Sequence, residues 1–369
     1  NPAEPEEFGG RKAILKIVAE GIAKARTQKR SGGVLVYGYR GVGKTSLLKK
    51  IRSMITPAEG IQPSNTLAIY RRLGKTTSDS ELYQMISEEI LEEIEHRKNL
   101  LQRLTAIPNE LRLNSAKISG IEFARDNNWT EKTPYHKWRA IVRNVRNADF
   151  ILIALDDADY LSVEALSELK TIVEEQNNTP VLLIISGGVN FEEKLVSNYS
   201  PVARIFSTAS FNLGEFNIQE TEEVLKNPLA VDSAKWSQDG IAEVQKLSRG
   251  YPYLVKCIAY ASYSDGQVIG NERVRNSLKS ALDVGKVWLS NELADASDND
   301  ILSFLKIVEK LGAQQTLKSS ELSNIGVSPP YVGRLVQLKV IKKISRGRYS
   351  LIKPPIIAYY HSLKRDIHL

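Results

Sequence analysis

Apolar positions recur along the first half of the chain with two different spacings. Over Ala13 to Lys24, Ile14, Val18 and Ile22 stand four residues apart, on one face of an amphipathic helix. Arg30, Ser31, Gly32 and Gly33 interrupt it, and Val34 to Tyr37 is a short continuous apolar run suited to a buried parallel strand. A glycine-rich loop and a helix over Thr45 to Met54 follow. Further strands are predicted at Leu67 to Tyr70, Ile151 to Leu155 and Val181 to Ile185, and further helices at Glu81 to Leu100 and Lys137 to Arg146. Strands separated by helix-length segments imply crossover connections, so the expectation is an α/β unit with a parallel sheet and helices on both faces. Leu104 to Trp129 fits less well; Ala116 to Phe123 is expected to form a hairpin around Gly120.

Beyond Phe211 the apolar runs shorten and the pattern turns helical, at Gln219 to Leu225, Ile241 to Leu247 and Tyr253 to Ala261, as in a small helical lid. A loose Asp/Asn/Ser-containing stretch, Ala294 to Asp300, separates the lid from a last unit. There, helices are predicted at Ile301 to Leu311, Ser319 to Ile325 and Ser328 to Leu338, the third with Ser328 as cap and Pro329 near its first turn. Two short strands around a basic Arg346-Gly347 turn complete a winged-helix arrangement. The expected domains are therefore 1–210, 211–296 and 297–369.

With 369 residues, 42% of them apolar and 25% charged, the chain is long enough for two or three cores. No apolar run reaches membrane-spanning length, and the acidic start from Asn1 to Glu7 is unlike a signal peptide, so a cytoplasmic protein with no membrane partner is expected. The only cysteine is Cys257, and His96, His136, His361 and His368 show no metal-ligand spacing, which argues against an intrachain disulfide and structural zinc. The net charge is +7, but from Ile301 onward 12 Lys/Arg face 3 Asp/Glu, a local +9. Positive charge concentrated at one end is the footprint of a polyanion partner. A second basic cluster, Lys24, Arg26, Lys29 and Arg30, reads as a solvated face.

Gly38-Tyr-Arg-Gly41-Val42-Gly43-Lys44-Thr45 matches the phosphate-binding pattern G-x-x-x-x-G-K-[ST] in full, between a predicted strand and a predicted helix. In that setting the backbone N–H groups of the loop, and the helix start through Ser46, converge on phosphate oxygens. Lys44 contributes a point charge to the terminal phosphates and the Thr45 hydroxyl a ligand for Mg²⁺. The other half of such a site is Ile151 to Leu155 followed by Asp156-Asp157-Ala158-Asp159, a Walker B pattern. Asp156 is expected to hold Mg²⁺ and Asp157 to orient or deprotonate the attacking water. An Asp in the second place is shorter than the usual Glu, so slow ATP hydrolysis is expected.

With these motifs the chain resembles the AAA+ branch that contains the archaeal origin-recognition initiators, and also the STAND-type signalling ATPases of archaea. The resemblance spans nearly the whole chain and implies a P-loop AAA+ sheet, a helical lid and a C-terminal winged helix. Phe8-Gly-Gly-Arg11 is similar to the short box that helps enclose the adenine in these families. Ser186, after Val181 to Ile185, is similar to their polar sensor near the γ-phosphate. Ser200 to Ser207 resembles the segment carrying an arginine finger, which makes Arg204 the candidate; the resemblance implies action on the ATP of a neighbouring subunit, hence self-association. The alternative for Arg204 is a surface arginine at a helix end. The lid departs from the initiators: Tyr253 stands where they carry a sensor arginine. Gly250-x-Pro252 resembles the turn of STAND ATPases, in which Pro252 contributes to the nucleotide pocket, and Arg249 is the candidate for a displaced sensor.

A winged helix of this kind is expected to place its third helix in a major groove with Tyr331, Arg334 and Gln337 outward, and Lys342, Lys343, Arg346 and Arg348 of the hairpin against phosphates or the minor groove. The expected partner is double-stranded DNA, bound under the control of ATP or ADP, as in a replication, plasmid or mobile-element factor. Two alternatives stay open: a STAND-type regulator whose winged helix is a protein-interaction or autoinhibitory module, and a transposition-associated AAA+ regulator.

Overall fold

The longest apolar runs become strands because both of their faces find cover. In the computed structural model, which describes residues 2–55, 66–75, 77–105, 115–118, 121–124, 133–145, 148–175, 179–198, 200–227, 235–263, 267–311 and 316–368, the chain divides into two compact units, Asn1–Gly214 and Glu215–Leu369. The first unit runs α1 (Lys12–Gln28), β1 (Gly32–Tyr37), α2 (Lys44–Ser53), β2 (Thr66–Arg72), α3 (Asp79–Thr105), β3 (Ser115–Ile118), β4 (Ile121–Ala124), α4 (Pro134–Asn144) and β5 (Phe150–Asp156). It continues with α5 (Val163–Glu174), β6 (Val181–Gly187), α6 (Phe191–Asn198), α7 (Ser200–Ala203) and β7 (Ser210–Asn212). Five of these strands form one parallel sheet in the order β2-β5-β6-β1-β7.

β5 is buried along its whole length, as a continuous apolar run in the middle of a sheet requires. Ile151, Ile153 and Leu155 share a core with Leu82 and Ile86 of α3, Trp138 of α4 and Leu166 of α5. The Trp138 indole stacks on Tyr83, with ring centroids 5.1 Å apart. Leu152 and Ala154 alternate to the opposite face, which α1 and α2 cover by packing on β1, β2, β5 and β6. Truncating a side chain such as Ile153 would cost about 2–5 kcal/mol, because a close-packed sheet core collapses only partly around a cavity.

Two departures from the sequence pattern have their causes in contacts between distant parts of the chain. Gly32 and Gly33 belong to β1, paired with Leu182 and Leu183, where a helix-breaking loop was expected. A Cβ at Gly33 would lie 2.7 Å from the Phe206 ring, so a small residue is what lets that turn pack on the strand. The three-residue β7 was not foreseen; it pairs with β1, and the Leu213 N–H extends the pairing by donating to the Tyr37 carbonyl at 2.7 Å. That pairing carries the first unit to Gly214, four residues past the expected division at 210. β3 and β4 pair antiparallel, as the expected hairpin would; Gly120 lies outside the described residues.

The second unit comprises α8 (Ile218–Leu225), β8 (Lys235–Trp236), α9 (Gln238–Ser248), α10 (Pro252–Ser262), β9 (Val268–Ile269), α11 (Asn271–Asn276) and α12 (Leu278–Leu289), then α13 (Asp298–Leu311), β10 (Thr316–Lys318), α14 (Ser319–Asn324), α15 (Pro329–Gln337), β11 (Ile341–Ser345), β12 (Arg348–Leu351) and α16 (Pro355–Arg365). β10, β12 and β11 form an antiparallel sheet in that order, and β8 pairs with β9. The expected lid and last domain form a single contact unit, because α16 folds back on α13, α12 and α9. The stretch Ala294 to Asp300, expected to be loose, is a helix cap: Asp300 accepts from the Ser297 N–H at 2.9 Å while its own N–H donates to the Ser297 hydroxyl at 3.2 Å.

Candidate functional site

The loop between β1 and α2 is shaped by where its backbone must pass. At Gly38 a Cβ would lie 2.5 Å from the Leu213 carbonyl oxygen, so only glycine permits the chain to leave β1 here. Gly41 and Gly43 also have positive φ, Gly43 standing as the N-cap of α2, while Val42 is buried between them. The loop thus ends on a helix N-terminus whose first N–H groups lack partners within the helix, an arrangement that favours an anion. Lys44 folds back over the loop and donates to the carbonyls of Gly38 at 2.8 Å and Tyr39 at 3.0 Å. Burial lowers its pKa from the ordinary lysine value, against the opposing pull of Asp157, Asp156 and Asp159.

The order β5-β6-β1 in the sheet places the ends of these strands side by side. Asp156 is fully buried at the end of β5. One of its oxygens accepts from the Thr45 hydroxyl at 2.6 Å and from the Tyr70 hydroxyl at 3.1 Å, and the other accepts from the Ser186 hydroxyl on β6. Three hydroxyl donors make the buried carboxylate tolerable. Ser186 also accepts the Asp157 N–H at 3.1 Å, so it ties both acidic positions to the sheet. Asp157 has left-handed backbone, φ 59° and ψ 44°, a conformation that Asp adopts more readily than most residues.

Tyr70 and Arg72, at the end of β2, were not anticipated as site residues. The β2–β5 register sets Arg72 beside Asp156, and its Nε donates to the Asp157 carboxylate at 2.8 Å. That hydrogen bond is the main reason the Arg72 pKa is raised, and burial followed by the Asp156 charge raises that of Tyr70. The signal in the sequence was the polar end of a strand, Tyr70-Arg-Arg72, but only the sheet order says which strand lies next to it.

The structure brings Gly38, Gly41, Val42, Gly43, Lys44, Thr45, Asp156, Asp157 and Ser186 to this end of the sheet. Two other expected site residues, Ser46 and Arg11, make contacts with distant parts of the same unit. Ser46, at the start of α2, accepts the Ala3 N–H at 3.0 Å, so its hydroxyl is turned toward the N-terminal segment. The guanidinium of Arg11, itself buried, donates to the Gly214 carbonyl, which ties the start of α1 to the end of the unit. Phe8 is half-buried just ahead of it. Arg204 is exposed in a single turn of 3-10 helix, with no ion pair among the described residues. In the second unit Pro252 is the first residue of α10, after a Gly250 whose Cβ would lie 2.0 Å from the Phe216 carbonyl oxygen.

The expected DNA-reading residues divide. Lys342, Lys343, Arg346 and Arg348 are exposed on β11, β12 and their turn, and none makes an ion pair among the described residues. Gln337 is exposed and Tyr331 half-buried. Arg334 departs from the expected outward reading position: its guanidinium donates to the Asp295 carbonyl at 3.1 Å and pairs with buried Asp300 at 3.4 Å. The buried Asp300 carboxylate at the start of α13 gains a compensating cation in Arg334.

Among the described residues no group of three or more His, Cys, Asp or Glu side chains is arranged to hold a metal, and no helix is long and apolar enough to cross a membrane. Thr45 and Asp156 are hard oxygen groups 2.6 Å apart, a pair that suits Mg²⁺ with its remaining ligands drawn from phosphate and water.

Residues 26–195 match a family model described as an AAA domain. No curated protein sequence matches the chain. Among solved structures, the ORC2 protein of Aeropyrum pernix, in its ADPNP-ADP complexes, is 14% identical, with a TM-score of 0.54 over 99% of this chain and 97% of that one. The Walker-type ATPase of Pyrococcus abyssi is 15% identical, with a TM-score of 0.52 over 98% of each chain. With its parallel five-stranded sheet, flanking helices and phosphate-binding loop, the chain has the α/β P-loop fold of the AAA+ type.

Proposed function

We propose that this chain binds ATP with Mg²⁺ at the β1–α2 loop, hydrolyses it slowly, and uses the bound nucleotide to control binding of double-stranded DNA by a C-terminal winged helix. The observation that carries the nucleotide half is the network around Asp156, in which the Thr45 and Ser186 hydroxyls meet one buried carboxylate next to Lys44. In this reading Lys44 would leave the Gly38 and Tyr39 carbonyls for the terminal phosphates, and Thr45 and Asp156 would hold Mg²⁺, which would supply positive charge against the phosphates. Asp157 accepts the proton of the attacking water once Arg72 has released it. Arg204, exposed and without an ion pair among the described residues, is available to a neighbouring copy, so hydrolysis would depend on self-association.

The DNA half is supported by the element order α13, β10, α14, α15, β11, β12, which fits a winged helix, and by four exposed cations at the hairpin with no ion pair among the described residues. Unpaired exposed cations suit phosphates, so most of the affinity would be independent of sequence and sensitive to salt. The positive-φ Gly250 ahead of Pro252 keeps a second reading in view, a STAND-type regulator in which the winged helix meets protein. Binding of labelled duplex with ATP, with ADP and without nucleotide, across a salt series, tests the proposal. The expected result is nucleotide-sensitive binding that weakens with salt, with the salt slope shallower by about 2 for Arg346→Ala with Arg348→Ala. Absence of duplex binding in every nucleotide state would reject the DNA half and favour the regulator.

A further inference from the structure

The side of α15 nearest the hairpin carries no group that reads a base edge. Pro329, Val332, Gly333 and Val336 recur at three- and four-residue intervals and so form one stripe along the helix. With Val327 and Tyr349 they line a cavity of about 300 Å³, to which Ser319 and Ser323 of α14 and Lys343 of β11 add polar groups at the wall. Its walls are tied together, because the Ser319 N–H at the start of α14 donates to the Gly347 carbonyl of the hairpin turn at 2.9 Å.

The segment that builds this groove is basic, with Lys343 on the lining itself and Arg334 held away by Asp300. From Thr316 to Leu351 the chain has seven Lys/Arg and a single carboxylate, Glu321, which is engaged by the Lys318 N–H at 2.6 Å. An occupant must therefore be apolar where it enters and acidic where it emerges. A duplex supplies the charge, but its apolar groups in the major groove are single thymine methyls, too small to fill the space. On the α15 wall, polar base edges would lose water to Pro329, Val332, Gly333 and Val336, none of which offers a side-chain hydrogen bond in return. A leucine or phenylalanine side chain fills such a cavity and gains the burial energy of a whole side chain.

We propose that the groove between α14, α15 and the β11–β12 hairpin is a docking site for an acidic segment of a partner protein that inserts one or two bulky apolar side chains. Lys343 and its basic neighbours hold the acidic flanks, and the stripe on α15 takes the anchors.

The test uses the full chain and a short fluorescein-labelled peptide with two Leu and one Phe set among Asp and Glu, read by fluorescence anisotropy. A control peptide replaces the three apolar residues with Ser. The apolar peptide is expected to bind at micromolar concentration and at least about tenfold more tightly than the control. At Gly333, on the groove lining, an added Cβ meets nothing within 4 Å, so Gly333→Ala leaves the groove open, and Gly333→Phe sets a bulky apolar side chain at its wall. Gly333→Phe is expected to abolish the preference for the apolar peptide and Gly333→Ala to keep it. Should circular dichroism show that Gly333→Phe does not fold, Val336→Asp at the exposed end of the stripe makes the same test by placing a charge in the groove. Failure of the apolar peptide to bind, equal binding of the two peptides, or an unchanged preference in Gly333→Phe overturns the proposal. So does loss of duplex binding in Gly333→Phe with peptide binding intact, which would make the groove a DNA contact.

Discussion

The phosphate end of the first unit and the hairpin of the second are both built from charged residues, yet they hold charge in opposite ways. Asp156 has no exposure to solvent and three hydroxyl donors, and Lys44 is engaged by two carbonyls. Arg346 and Arg348 stand in solvent with no partner among the described residues. Buried groups that satisfy one another are rigid, poorly screened and costly to remove one at a time. Exposed cations are individually weak and act by their number, so salt and not geometry sets their strength. The first arrangement suits a site for one small anion in one pose, the second a surface for a polymer of charge.

Removing Lys44 should give the largest effect. Lys44→Ala is expected to weaken ATP binding by about 3 kcal/mol, roughly a hundredfold, because a charged donor is lost from a desolvated site. Titration with a fluorescent ATP analogue measures it; near-normal affinity would mean that the loop is not the nucleotide site, and the contrast would fail at its stronger end.

The ion pair between Arg72 and Asp157 lies between the two extremes, with Arg72 64% and Asp157 30% exposed. Arg72→Ala frees the carboxylate to take a proton and is expected to raise the single-turnover rate of ATP hydrolysis by up to about tenfold. An unchanged rate would remove the restraint on Asp157 from the mechanism.

Arg334 sharpens the comparison from the other unit. It is a basic residue of α15 spent on structure, so Arg334→Ala should destabilise the second unit by about 1–2 kcal/mol, as Asp300 loses its cation. Thermal unfolding reads that loss. Duplex affinity should change less than about twofold, well below the effect of Arg346→Ala with Arg348→Ala; a large loss of duplex binding at unchanged stability would return Arg334 to the DNA surface.

The local parts of the first unit were legible along the chain. Residues 38–43 form a loop whose geometry follows from its glycines and neighbours, and β5 announces itself as a buried strand by an unbroken apolar run. β7 was missed because three residues are too few to carry a period, and its pairing with β1 comes from distant chain. β10 escaped for the same reason. The winged-helix reading anticipated α14, α15 and the hairpin, but a helical period alone does not say which neighbour each face meets. The side assigned to base reading carries an arginine held by α13, and the side toward the hairpin is a valine stripe.

The sequence by itself determined the elements whose conformation depends on near neighbours: the phosphate-binding loop, the apolar strands, the capped helices and the basic end. Tertiary structure alone decided which distant side chains meet. It set Tyr70 and Arg72 beside the paired aspartates, turned Ser46 to the N-terminal segment and Arg11 to the Gly214 carbonyl, and placed Arg334 against Asp300. The physical reason is that buried polar groups need partners and take whichever the sheet order and helix packing bring within reach, and that order is not written in any local spacing.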